Sequence, residues 1–166
     1  MLALGVGTGT KYRDDDLRYE RVILMTDADV DGAHIASLLI TFFYQEMPEL
    51  IENSHLFLAV PPLYKVSQGA KSYYARDEKH RDTIMASLKA TPKPEVTRFK
   101  GLGEMNAPDL KSTTMDKTNR TLLKVEIGEG ERSALGETVN ALMGSKPEAR
   151  FRFIQEHAAF AKDLDI

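Results

Sequence analysis

Cysteine is absent from the 166 residues. Its absence excludes disulfide staples, thiolate zinc sites and cysteine nucleophiles together, and is what a reducing compartment permits. Also missing is any run approaching the roughly 20 apolar residues of a membrane-spanning helix, so no membrane partner is expected. The apolar opening Leu2-Ala3-Leu4-Gly5-Val6 has no basic stretch before it, and Gly7, Gly9 and Lys11 cut it shorter than a signal core. The expected location is the cytoplasm. No internal repeat or low-complexity tract is visible. What is there, 42% hydrophobic and 28% charged residues, suits one compact domain or a domain with a satellite.

The formal charge of −3 is a sum of unlike parts. Residues 1–32 carry four basic and seven acidic side chains, whereas residues 93–124 carry seven basic and four acidic ones. An acidic spot and a basic stretch therefore share one chain, although solvated faces of this size are common.

Periodicity predicts the elements. Arg21 to Thr26 is a short apolar run with β-branched members that ends abruptly in acid, the pattern of a buried parallel strand. Ile35, Leu38, Leu39, Phe42, Phe43 and Met47 follow at the spacing of one helix face, and Pro48 interrupts or bends that helix. Leu56 to Val60 reads as a second buried strand closed by Pro61-Pro62. Leu63 to Val66 and Ser72 to Ala75, split by Gln68-Gly69, predict a hairpin, with a domain boundary near residue 66. Asp77 is placed to cap a helix that buries Ile84, Met85 and Leu88, and Pro92-Lys93-Pro94 reads as a linker. Further on come a strand over Val96 to Phe99, a short helix capped by Asn106 and running to Met115, and a strand over Leu122 to Ile127. A helix marked by Leu135, Val139, Leu142 and Met143 ends at Gly144, and a last one starts at Pro147 and carries Phe151, Ile154 and Ala158.

Chemistry concentrates in Thr26-Asp27-Ala28-Asp29-Val30-Asp31-Gly32, three carboxylates at every second position directly after a strand. In extended backbone this period puts all three on one side. Crowded like charges raise one another's pKa and need a cation or basic partner, and hard oxygen ligands point to Mg²⁺. Acids that cap the next helix explain one or two of the three, but not all. An EF-hand loop shares the pattern and requires a bidentate Glu at its twelfth position, which counted from Asp27 is Leu38. A haloacid dehalogenase-type phosphatase shares strand-Asp-x-Asp, but its fifth position is here Asp31.

Strand, acidic cluster, Gly and amphipathic helix together resemble the TOPRIM domain. The longer string Thr26 to Ile35, then Pro61-Pro62-Leu63-Tyr64-Lys65, Arg98 to Asn106 with Lys100-Gly101-Leu102-Gly103, and Thr113-Thr114-Met115-Asp116, resembles the B subunit of bacterial type IIA DNA topoisomerases in order and spacing. The closing stretch Lys146 to Ile154 resembles the topoisomerase IV branch of that family more than the gyrase branch.

The resemblance implies an α/β fold: residues 1–66 as the carboxyl-terminal part of a Rossmann-like TOPRIM domain with a mostly parallel sheet, and residues 67–166 as an α+β tail region. It implies Mg²⁺ held by Asp27 and Asp29 with Asp31 peripheral, and DNA contacts at His34 and Arg150, with Lys100 meeting phosphate or the acids themselves. Arg152 reads as a solvated charge, and His55, His80 and His157 have no such support. The implied partners are DNA and an A subunit, two of each subunit forming the enzyme, whose tyrosine attacks the phosphodiester, so no catalytic nucleophile is expected in this chain. The family's ATP-hydrolysing and transducer domains, and the Glu-Gly-Asp-Ser-Ala motif whose Glu is a metal ligand and general acid/base, do not occur here. The chain is therefore expected to be the later part of a longer subunit, inactive alone. Two other classes stay open: an interaction module for DNA and the A subunit without useful metal affinity, and a stand-alone metal-dependent phosphotransferase.

Overall fold

The structure is a computed structural model that describes residues 2–128, 130 and 132–158. Their elements are β1 (Val22–Leu24), α1 (Val30–Glu46), α2 (Pro48–Glu52), β2 (Leu56–Val60), β3 (Tyr64–Gln68), β4 (Lys71–Ala75), α3 (Glu78–Ser87), β5 (Glu95–Arg98), α4 (Ala107–Leu110), β6 (Thr121–Lys124), α5 (Arg132–Met143) and α6 (Pro147–His157). A π turn, Lys111–Met115, continues α4. The mixed α/β class is as the sequence implies, but a mostly parallel sheet is not what forms. Two three-stranded sheets occur, ordered β1-β2-β6 and β4-β3-β5. The first is small and mixed, because β6 returns antiparallel to β2 with Phe57 opposite Lys124 and Val60 opposite Thr121. In the second, β3 pairs antiparallel with both neighbours.

Chain contacts define two compact units: one from the described residues within Met1–Val22, Ser37–Leu56 and Val125–Ile166, the other from Ile23–Ala36 and Phe57–Lys124. Residue 66 lies inside β3. In the first unit Met47, Leu50 and Leu56 are completely buried, each worth about 1.5–3 kcal/mol of apolar burial. In the second, Val66 and Ala75 are fully buried, with Tyr64 and Phe99 nearly so. Its hairpin turns through Gly69-Ala70, where Gly69 adopts φ +61°, a conformation open to glycine at no steric cost.

Caps and breakers act where the sequence puts them. The Asp77 carboxylate accepts from the His80 N–H at 2.7 Å and starts α3, and Asn106 Oδ1 accepts from the Asp109 N–H at 2.8 Å and starts α4. Pro48 opens α2 one residue after α1 ends. Apolar faces were less well indicated. On α1 and the residue after it the buried line is Ala36, Phe43 and Met47, whereas Ile35, Leu38, Leu39 and Phe42 are about 40–50% exposed. The stripe is rotated by about one residue from the one periodicity predicts. Ile84, Met85 and Leu88 are half-buried, and Phe151 and Ile154 are each 62% exposed rather than core. No described helix is long and apolar enough to cross a membrane.

Candidate metal and nucleic-acid site

The acids stand at the carboxyl end of β1, where ligand sites of open α/β sheets form. They do not stay in extended backbone. After Asp29 the chain turns into α1, so Asp31 sits in the first helical turn and the alternation that would align three carboxylates is broken. Asp29 is the N-cap: its Oδ1 accepts from the Gly32 N–H at 2.7 Å, and its carbonyl accepts from the Ala33 N–H at 3.0 Å. Gly32 is required here, since a Cβ at that position would lie 2.0 Å from the Asp27 carbonyl oxygen. Among the described residues no three His, Asp or Glu side chains gather as a ready cation cage.

Asp27 is held differently. Its Oδ1 accepts from the Leu102 N–H at 2.7 Å, across 75 residues of sequence. Asp27, Asp29, Thr26 and Arg76 line one hollow of about 430 Å³ in the second unit. Each of the two carboxylates thus has one oxygen fixed by a backbone N–H and its other oxygen without a protein partner among the described residues. Two hard carboxylates with free oxygens beside open space fit Mg²⁺, which is usually bound through one or two carboxylates, waters and phosphate oxygens rather than a full protein cage. Asp31 is exposed and outside that lining.

His34 is exposed on α1, one turn beyond Asp31. Lys100 is exposed, and its backbone N–H donates to Glu104 Oε2 at 2.8 Å. Arg150 is exposed on α6. None of the three side chains forms an ion pair among the described residues.

Sequence reasoning missed three features. Arg76, just after β4, is part of the lining of the acid hollow. The Gly101-Leu102-Gly103 turn supplies the donor to Asp27. Third, a buried ion pair joins β3 to α4: Lys65 Nζ lies 2.8 and 2.9 Å from the two Asp109 oxygens, and the Tyr74 hydroxyl donates to Asp109 Oδ1 at 2.7 Å. Asp109 is 5% exposed. Burial pushes its carboxyl pKa up, but the hydrogen bonds from Lys65 and Tyr74 outweigh this and hold it below the usual carboxylate range; the same bond raises Lys65. The signal available was a lysine between the strand residues Tyr64 and Val66, where a buried charge requires a partner.

Two family models match the chain in succession: the Toprim domain over residues 8–61, and the DNA gyrase B subunit carboxyl terminus over residues 91–155. The chain thus carries a Toprim segment followed by a gyrase B-type carboxyl-terminal segment. Over 167 aligned residues and its whole length it is 62% identical to the DNA topoisomerase 4 B subunit of Bartonella bacilliformis, and equally to that of Caulobacter vibrioides. It is 46% identical, over 99% of its length, to the DNA gyrase B subunit of Halalkalibacterium halodurans. The chain spans about a quarter of these relatives: 24% of the first two and 25% of the third.

Proposed function

We propose that the chain is the cation- and DNA-contacting part of a topoisomerase IV B subunit, acting in ATP-dependent cleavage, passage and religation of duplex DNA. The observation that carries this reading is the pairing of Asp27 and Asp29 around one hollow at the end of β1, in a chain 62% identical throughout to topoisomerase 4 B subunits. Asp27 and Asp29 would hold Mg²⁺, with Asp31 as a peripheral contributor. Bound there, the ion would stabilise negative charge on phosphoryl and leaving oxygens. The protein's own groups fix the two carboxylates through Leu102 and Gly32 N–H, and Arg76 adds a guanidinium suited to phosphate. His34, Lys100 and Arg150 would contact backbone phosphate, which positions DNA without reading its sequence.

The nucleophile would come from an A subunit, in an assembly of two A and two B subunits, and ATP would be used by a domain outside this chain. The cytoplasm is the proposed location. Residues 1–66 would contribute to the TOPRIM part and 67–166 to the tail.

Asp27→Asn in the full-length subunit, assayed with its A subunit, should abolish cleavage and relaxation and leave ATP hydrolysis nearly intact, whereas Asp31→Asn should be milder. Retained relaxation in Asp27→Asn would sink the assignment. A second reading, an interaction module without useful metal affinity, is favoured by the lack of a three-carboxylate cluster among the described residues. It predicts no cation binding with or without DNA.

A further inference from the structure

We propose that the Gly101-Leu102 turn is a positioning element for the cation site, its backbone fixing the Asp27 carboxylate so that one oxygen faces the acid hollow. The inference rests on the cation reading of that hollow and assigns a role to the Gly-Leu-Gly segment. Its basis is the 2.7 Å bond from the Leu102 N–H to Asp27 Oδ1 and the closeness of the backbone that carries it. A Cβ at position 101 would lie 2.8 Å from both Asp27 Cγ and Oδ1, so only glycine lets the turn approach the carboxylate. A Cβ at Gly103 meets nothing within 4 Å. The two glycines of one motif therefore differ: the first is needed for contact with the acid, and the second is not.

The turn is anchored on both sides. Phe99 and Met105 are 5% and 7% exposed and, with Ala28, Pro61 and Pro62, enclose a space of only about 10 Å³. The Phe99 N–H donates to the Leu63 carbonyl at 2.8 Å. Within the turn, Glu104 Oε2 accepts from the Lys100 N–H at 2.8 Å, and the Met105 N–H donates to the Leu102 carbonyl at 3.2 Å. A donor so fixed removes rotational freedom from the carboxylate that receives it. Hydrogen bonds to ligating carboxylates typically change metal affinity by about 10–100-fold when lost.

Leu102 is the first residue of a 3-10 turn, and Gly101 before it is extended at φ −162°, ψ 177°. Proline is tolerated at a first helical position and favours an extended residue before it. Leu102→Pro thus removes the N–H, and its Cδ, which takes the place of the hydrogen aimed at Asp27 Oδ1, pushes the carboxylate away from the turn.

Mn²⁺, as a paramagnetic substitute for Mg²⁺, is titrated into the 166-residue chain and read by electron paramagnetic resonance. Amide spectra and melting temperatures are recorded for the same samples. Relative to the parent, Leu102→Pro and Gly101→Ala should bind Mn²⁺ roughly 10–100-fold more weakly, and Gly103→Ala should bind like the parent and keep its melting temperature. Asp27→Asn should shift the Leu102 amide resonance. Parent-like Mn²⁺ affinity in Leu102→Pro, or a Leu102 amide unmoved by Asp27→Asn, overturns the clamp. Loss of affinity in Gly103→Ala equal to that in Gly101→Ala overturns it too, by showing a general effect on the turn. A parent chain that binds no Mn²⁺ overturns the cation reading and with it the purpose of the clamp, even where Asp27→Asn still moves the amide.

Discussion

Two acidic runs lie close together in this chain, and the structure treats them in opposite ways. Asp14-Asp15-Asp16 forms a short 3-10 turn in the first unit. Asp14 Oδ1 accepts from the Tyr12 hydroxyl at 2.7 Å, and its Oδ2 lies 3.6 Å from His55 Nε2, while His55 Nδ1 donates to the Glu20 carbonyl at 2.8 Å. Those contacts tie the chain before β1 to the start of β2, and they occupy both oxygens of the leading acid. Asp27 and Asp29 in the second unit each have one oxygen bonded to a backbone N–H and the other without a protein partner among the described residues. On the proposed reading, density of carboxylates does not make a cation site; the backbone donors that orient them, and the open space left in front, do.

The largest effect expected from testing this contrast falls on the scaffold of the second unit. Lys65→Met strands Asp109, which is almost wholly buried, and should cost about 3 kcal/mol of unfolding free energy, read by urea denaturation. The double variant Lys65→Met, Asp109→Leu should recover most of it. The parent pair should show a pH window. The depressed Asp109 pKa contributes stability above the unfolded carboxyl value of roughly 3.9, lost as pH falls through the folded value. The raised Lys65 pKa contributes below roughly 10.4, lost as pH rises through its own folded value. Stability falling steadily between about pH 5 and 9 would contradict this account of the pair.

Smaller is the effect in the first unit. Tyr12→Phe deletes the hydrogen bond that does most to hold the Asp14 pKa low, at a cost of about 1 kcal/mol, and should leave Mn²⁺ binding unchanged. Weakened Mn²⁺ binding would place a cation at the wrong acids. Smallest in stability is Arg150→Ala on α6, whose exposed side chain has no described ion pair. Its melting temperature should not move, while the log–log salt slope of DNA binding by the assembled enzyme should drop by about one. An unchanged slope would assign Arg150 to the fold or to a subunit interface.

What the sequence made legible is what depends on local chemistry. Strand β2 was read with its bounds intact, and the Asp77 and Asn106 caps and the break at Pro48 each follow from one side chain acting on nearby backbone. Pairing across the chain was not legible. The antiparallel return of β6 beside β2, the bond of Leu102 to Asp27 and the Lys65–Asp109 pair join residues tens of positions apart, and periodicity carries no record of them. The acids themselves were found, but their alignment was inferred from extended backbone. Asp29 instead starts α1 and carries Asp31 into the helix.

Amide broadening on substoichiometric Mn²⁺ addition to the 166-residue chain tests most directly where a cation binds. The account predicts that the amides of Asp27 to Asp29 and Gly101 to Gly103 broaden first, with those of Asp14 to Asp16 unaffected at the same ratio. Broadening that begins at Asp14 to Asp16, or spreads evenly over both acidic runs, would contradict it.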